Sequence, residues 1–240
     1  MHFLLVHGAW HGGWCWERLE AEFHARHLGY SIIDLPGLGD DTTPPEEIDL
    51  AAYTERVARY VLELDRPVEL VGHSMAGAVI TEVAEQVPGF LSGLIYLCAF
   101  LPRNGETLAG LGREDRDAGL DAALVRGDDP ATLVVAPDAA RELFYHDCRS
   151  EDAEAAIARL RPQVIAPLHD PVRSTEEHWG RVPRSYVVCN DDRAISPAMQ
   201  RRMVERTPCD PVIELASGHS PFYSNPAALA AALEQIARAR

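Results

Sequence analysis

Short unbroken apolar runs alternate with longer stretches of helical spacing along most of the chain. Phe3-Leu4-Leu5-Val6 predicts a short buried strand, which breaks into His7-Gly8-Ala9. Glu17 to Leu28 has helical spacing, with Leu19, Phe23 and Leu28 on one face, and ends at Gly29, a residue suited to a C-cap. Tyr30 to Asp34 predicts a second strand, closed by the turn-rich Pro36-Gly37-Leu38-Gly39. Ala51 to Leu64 predicts a helix with Tyr53, Val57, Tyr60, Val61 and Leu64 as its apolar stripe. Val68 to Val71 reads as a third strand running into Gly72-His73-Ser74, and Met75 to Val87 as a helix stopped by Pro88-Gly89. Leu94 to Phe100 is apolar enough to predict a strand buried on both faces. Strands alternating with helices in this way imply βαβ units and a mainly parallel, doubly wound sheet.

The rhythm fails between about Arg103 and Leu168, where Ala-, Asp- and Arg-rich sequence predicts helices without a clear buried strand. It returns with a strand at Arg184 to Cys189, a helix at Pro197 to Glu205, a strand at Val212 to Leu215 and a helix at Pro226 to Ala239. The organisation expected is one α/β core, residues 1–102 and 169–240, with a helical cap inserted as residues 103–168. No internal repeat or low-complexity tract interrupts it.

Composition narrows the function. A chain of 240 residues with 47% hydrophobic content fills one sizeable α/β core, and 25% charge is ordinary for a soluble protein. A net charge of −15 argues against nucleic acid and anionic membrane surfaces as partners. All 22 basic residues are arginine, which excludes Schiff-base, P-loop and general-base lysines. Cys15, Cys98, Cys148, Cys189 and Cys209 are widely spaced, without a CxxC or Cys/His zinc pattern. With no signal-peptide pattern at the N-terminus and no apolar run long enough for a bilayer, free thiols in the cytoplasm are the expectation.

Two stretches carry chemistry. "VHGAWHGGWCW" places glycines after the first strand, where backbone N–H groups approach something negative. Strand, glycines, helix, strand and Asp34 imitate a dinucleotide site, but Gly8, Gly12 and Gly13 do not fit G-x-G-x-x-G. His7 and His11 lie in a loop, so helical metal-ligand spacing does not apply to them. "VELVGHSMAG" places Ser74 between a buried strand and a helix, as in the nucleophile elbow G-x-S-x-G, with Ala76 at the final glycine position and Gly77 after it. Serine needs a base that is itself oriented by an acid, in the chain order Ser, Asp or Glu, His. "YVVCNDD" ends a strand at Asp191 and Asp192, and "IELASGH" ends the next with His219 in a loop. His73 is set aside as base because its side chain should point away from the elbow tip. The negative species at the first loop is then a tetrahedral oxyanion, held by the N–H groups of Met75 and Ala9, with Gly8 supplying the turn.

With "VHGAWHGGWCWERL", "GHSMAG", "CNDDRAIS", "GHSPF" and "FYHDCRSEDAEAAIARLRPQ", the chain resembles the α/β-hydrolase group of plant methyl esterases and hydroxynitrile lyases with their bacterial relatives. The resemblance spans core and cap. It implies the α/β-hydrolase fold, cofactor-free cleavage of small carboxylic esters, an apolar pocket under the cap, often a homodimer, and Asp192 as the acid. Ser74 would attack the ester carbonyl, His219 carry the proton and Asp192 hold the imidazole, through an acyl-enzyme. A hydroxynitrile lyase is the alternative within the group, and a non-catalytic small-molecule receptor the alternative outside enzymes. The lyase branch carries a lysine after the catalytic histidine and a threonine in the oxyanion loop; Ser220 and Gly8 stand there in this chain.

Overall fold

A computed structural model describes residues 1–240. Its strands are β1 (His2–Val6), β2 (Gly29–Ile33), β3 (Val68–His73), β4 (Leu91–Leu97), β5 (Leu124–Arg126), β6 (Thr132–Val135), β7 (Gln163–Val164), β8 (Arg184–Cys189) and β9 (Val212–Leu215). The helices of the first half are α1 (Glu17–Ala25), α2 (Leu50–Glu63), α3 (Ala76–Gln86), α4 (Leu108–Glu114) and α5 (Leu120–Ala123). Those of the second half are α6 (Pro137–Phe144), α7 (Ser150–Ile157), α8 (Ala166–His169), α9 (Pro197–Arg206), α10 (Pro221–Ser224) and α11 (Pro226–Arg238). No helix is long and apolar enough to cross a membrane.

Six strands form one parallel sheet in the order β2-β1-β3-β4-β8-β9. Alternate residues of each strand feed opposite faces, and the inner strands β1, β3, β4 and β8 are buried on both, whereas the edge strands β2 and β9 are only partly buried. Phe3 and Leu5 pack with Leu19 and Phe23 of α1 and with Leu229, Leu233 and Ile236 of α11. Leu4, Val6 and Leu70 pack on the opposite face, with Val57 of α2, Val79 and Val83 of α3, and Met199 of α9. The chain therefore leaves β1 towards one face and leaves the neighbouring β3 towards the other. Such a switch point opens a crevice at the carboxyl ends of the two strands, and the loops from Val6 and His73 meet there.

Three local departures from the sequence reading have physical causes. The first helix stops at Ala25: His27 takes the left-handed conformation (φ 55°) and the Leu28 N–H donates to the Phe23 carbonyl at 2.9 Å, so Gly29 is free to begin β2. β4 ends at Leu97, because Cys98 turns out of the strand (φ 34°) and the apolar residues 98–101 are a buried loop. The segment between β4 and β8 is not purely helical. β5, β6 and β7 form a small antiparallel sheet beside its helices. These strands have only two to four residues each, and β7 pairs across a long insertion, so no alternation is long enough to announce them.

Candidate active site

Ser74 sits one residue beyond β3 in the left-handed region (φ 56°), which turns its side chain off the strand direction. The elbow is held by Ser74 N–H donating to the Leu97 carbonyl at 3.2 Å, and by the Ser74 carbonyl accepting from Gly77 N–H at 3.2 Å and Phe100 N–H at 3.1 Å. The tight approach falls on Gly77, where a Cβ would lie 1.8 Å from the Phe100 carbonyl oxygen. Ala76 is accommodated at the position where glycine is commoner, and the required glycine is the next one. Gly8 serves the same purpose on the other side, since a Cβ there would meet Ser74 Cβ at 2.8 Å and His73 Nδ1 at 2.9 Å. It does not supply the turn, because the left-handed residue of that loop is Trp10 (φ 63°).

The structure brings Ser74, His219 and Asp192 into one hydrogen-bonded line. Ser74 Oγ lies 3.1 Å from His219 Nε2, and His219 Nδ1 lies 2.8 Å from Asp192 Oδ2. A carboxylate only accepts, so Nδ1–H donates to Asp192 and leaves the Nε2 lone pair for the serine hydroxyl. All three residues are at most 6% exposed. Asp192 is held on both oxygens: Oδ1 accepts from the Ala194 and Ile195 N–H groups at 2.8 and 3.0 Å, and Oδ2 also accepts from Gln200 Nε2 at 3.0 Å. Gln200 is in turn fixed by the Cys189 N–H on its Oε1 at 3.1 Å. Nothing in the sequence pattern of α9 singled Gln200 out, because a buried glutamine on a helix announces no partner. The neighbouring Asp191 points elsewhere, to His146 at 3.1 Å, with its side chain 65% exposed.

The Ala9 and Met75 N–H groups donate to no protein acceptor, and both residues line the same cavity as Ser74. That cavity, about 240 Å³, lies between the sheet and the segment from β4 to β8. Trp10, Phe100, Leu108, Leu133, Ile165 and Leu168 belong to its apolar wall, and Arg113 and Arg126 also line it. The 144–148 stretch closes on the histidine loop. The Phe144 ring stands 5.6 Å from that of His219, and Asp147 Oδ2 accepts from the Gly218 N–H at 2.6 Å.

The other buried histidines have defined duties. His73 donates from Nε2 to the His219 carbonyl at 2.9 Å, its ring 4.7 Å from that of His219, and burial holds its pKa far below the ordinary histidine value. His7 donates to the Gly8 carbonyl and accepts from the Leu35 N–H at 3.1 Å; burial lowers its pKa too, against the weaker pull of Asp34 3.8 Å away. Asp34 ties the two loops together, accepting from the Gly13 N–H at 2.6 Å and the Asp40 N–H at 3.0 Å. His73, Cys98 and His219 bring potential metal ligands within 4.8 Å of one another. Both His219 nitrogens are already engaged, and the His219 carbonyl occupies His73 Nε2 and the Cys98 thiol.

A parallel sheet with a serine elbow, a histidine on a carboxylate and unpaired N–H groups beside them defines a class, and residues 3–232 match it: the chain belongs to the α/β-hydrolase family. Methylesterase 2 of Arabidopsis thaliana is 30% identical over 98% of this chain and 95% of its own. The crystal structure of a methylesterase from Arabidopsis superposes with a TM-score of 0.85 at 28% identity, covering 100% of both chains. A pyrethroid hydrolase from Sphingobium faniae JZ-2 is equally similar, with a TM-score of 0.85 and 28% identity over 100% of this chain and 98% of that one.

Proposed function

We propose that the chain is a serine esterase that cleaves small carboxylic esters, methyl esters of apolar acids among them, through an acyl-enzyme on Ser74. The observation that carries this reading is the hydrogen-bonded line Asp192–His219–Ser74 opening into an apolar cavity beside two unpaired N–H groups. His219 Nε2 takes the serine proton as Oγ attacks the ester carbonyl, and the imidazolium is stabilised by the Asp192 carboxylate. The negative charge developing on the former carbonyl oxygen is met by the Ala9 and Met75 N–H groups. The tetrahedral species collapses as His219 returns the proton to the departing alkoxide, releasing the alcohol. Water, deprotonated by His219, then repeats the sequence on the acyl-enzyme and frees the acid. The esterase names of its relatives support the same reading.

The test combines covalent labelling with turnover. A fluorophosphonate probe should label the wild-type protein at Ser74, and p-nitrophenyl acetate should be hydrolysed. Ser74→Ala should remain folded while hydrolysis falls by several decades to a residual supplied by binding and the oxyanion donors. Absence of both labelling and turnover in the folded wild type would mean a receptor rather than an enzyme. A panel of methyl, aryl and thioesters then ranks the acyl and alcohol groups.

A further inference from the structure

We propose that Tyr145 is a positioning residue for the oxyanion loop, acting on the Ala9 donor through His11. The inference rests on the ester-hydrolysis reading and adds a residue to it. The loop after β1 is one that must be held, because Trp10 adopts a left-handed conformation that a side chain disfavours. Two of its restraints come directly from the segment between β4 and β8: Trp10 Nε1–H donates to the Leu133 carbonyl at 2.9 Å, and the Arg161 N–H donates to the Trp10 carbonyl at 2.9 Å. His7 holds the Gly8 carbonyl, in the amide that carries the Ala9 N–H, and a further restraint acts on the Ala9 carbonyl in the adjoining amide. His11 Nδ1 lies 2.7 Å from the Ala9 carbonyl oxygen, and His11 Nε2 lies 2.7 Å from the Tyr145 hydroxyl.

The direction of this chain follows from chemistry. His11 and Tyr145 are both buried, and burial drives the His11 pKa down to about 3, so the ring is neutral and carries one N–H. A carbonyl oxygen only accepts; the proton must therefore be on Nδ1, and Nε2 must accept from the Tyr145 O–H. The Ala9 carbonyl sets this tautomer, and the Tyr145 O–H completes it by filling the Nε2 lone pair, which fixes the ring that grips Ala9. Without its hydroxyl, the Nε2 lone pair is buried with no donor, and the imidazole loses the contact that holds its Nδ1–H in line with the Ala9 carbonyl. Tyr145 is placed at the end of α6 by its own N–H on the Arg141 carbonyl at 3.1 Å, so the cap-side segment sets the position of a donor on the core loop.

An oxyanion donor acts on the transition state more than on bound substrate, so misplacing it has a kinetic signature that loss of stability does not share. Tyr145→Phe should lower kcat/KM for p-nitrophenyl acetate by about tenfold, less than the hundredfold or more for outright loss of a donor. The inhibition constant of a trifluoromethyl ketone, which forms an oxyanion on Ser74, should rise by the same factor. The Kd of an unreactive ether analogue of the substrate should stay within about twofold. Because Tyr145 acts through His11, the double variant with His11→Phe should lose no more than His11→Phe alone. Losses that multiply, or a Tyr145→Phe variant with a lower Tm but unchanged kcat/KM and ketone affinity, would overturn the positioning role. Wild-type turnover that vanishes in Ser74→Ala is measured alongside. Its presence confines any failure to Tyr145, and its absence overturns the esterase reading and this inference together.

Discussion

Replacing Asp192 by asparagine keeps the shape of the side chain and removes one acceptor and the charge. Four N–H donors converge on the carboxylate, two on each oxygen. An amide has a single oxygen, so one pair must face an NH2 group. If that pair is Ala194 and Ile195, two buried backbone donors are left unpaired, at about 1–3 kcal/mol each. If it is His219 and Gln200, the imidazole escapes by moving its proton to Nε2, and only the Gln200 amide remains in conflict. The second arrangement is favoured by about one unpaired donor, and its His219 no longer accepts the serine proton. The transition state also loses the carboxylate opposite the imidazolium. With charge centres about 4 Å apart and an effective dielectric near 20, that attraction is about 4 kcal/mol. The two effects together amount to about four decades in kcat at about 1.4 kcal/mol per decade. Asp191→Asn removes only a largely exposed contact to His146, worth at most about 1 kcal/mol, so its rate should stay within about fivefold of wild type. Initial rates on p-nitrophenyl acetate, with thermal melts confirming that both variants are folded, decide the matter. A fall of less than tenfold for Asp192→Asn, or the reverse ranking, would refute the reasoning and move the acid by one residue.

The buried histidines predict a pH dependence of stability. His7, His11 and His73 are denied protons by burial, whereas in the unfolded chain they titrate near 6.5. The unfolded state therefore binds more protons below that pH, so stability is complete above about pH 7.5 and falls as the pH drops through 6.5. His11, whose pKa lies at about 3, removes about 1.4 kcal/mol between pH 7.5 and 5.5, and His7 and His73 act in the same direction. Urea midpoints that do not move between these two pH values would contradict this. Cyanide release from mandelonitrile should not exceed the uncatalysed background, because the neutral Ser220 hydroxyl stands after His219 and no lysine exists in the chain to stabilise the departing anion. Cyanide release that disappears in Ser74→Ala would replace the esterase reading by a lyase.

The apolar runs and the residues that interrupt them were enough, as sequence, to outline the parallel sheet and the family. β8 and β9 fall where the pattern placed them, and the loops after β1, β2 and β3 were legible because glycine, serine or aspartate ends each apolar run, whereas the apolar loop 98–101 after β4 was not. Local signals of this kind survive in one dimension, since a strand buried on both faces needs apolar residues whatever its neighbours are. The short sheet β5-β6-β7 was not legible, nor were the partners of the site. Gln200 on Asp192, Asp147 on Gly218 and Tyr145 on His11 each join residues from separate elements, and no spacing in the chain relates them. Even the glycine demanded by the elbow shifted from position 76 to 77, because the carbonyl it must clear belongs to Phe100, on a loop that follows the next strand. The sequence alone determined which side chains stand at the strand ends. Only the tertiary structure decided how each is oriented, because hydrogen-bond direction and close approach depend on groups that folding brings together from distant parts of the chain.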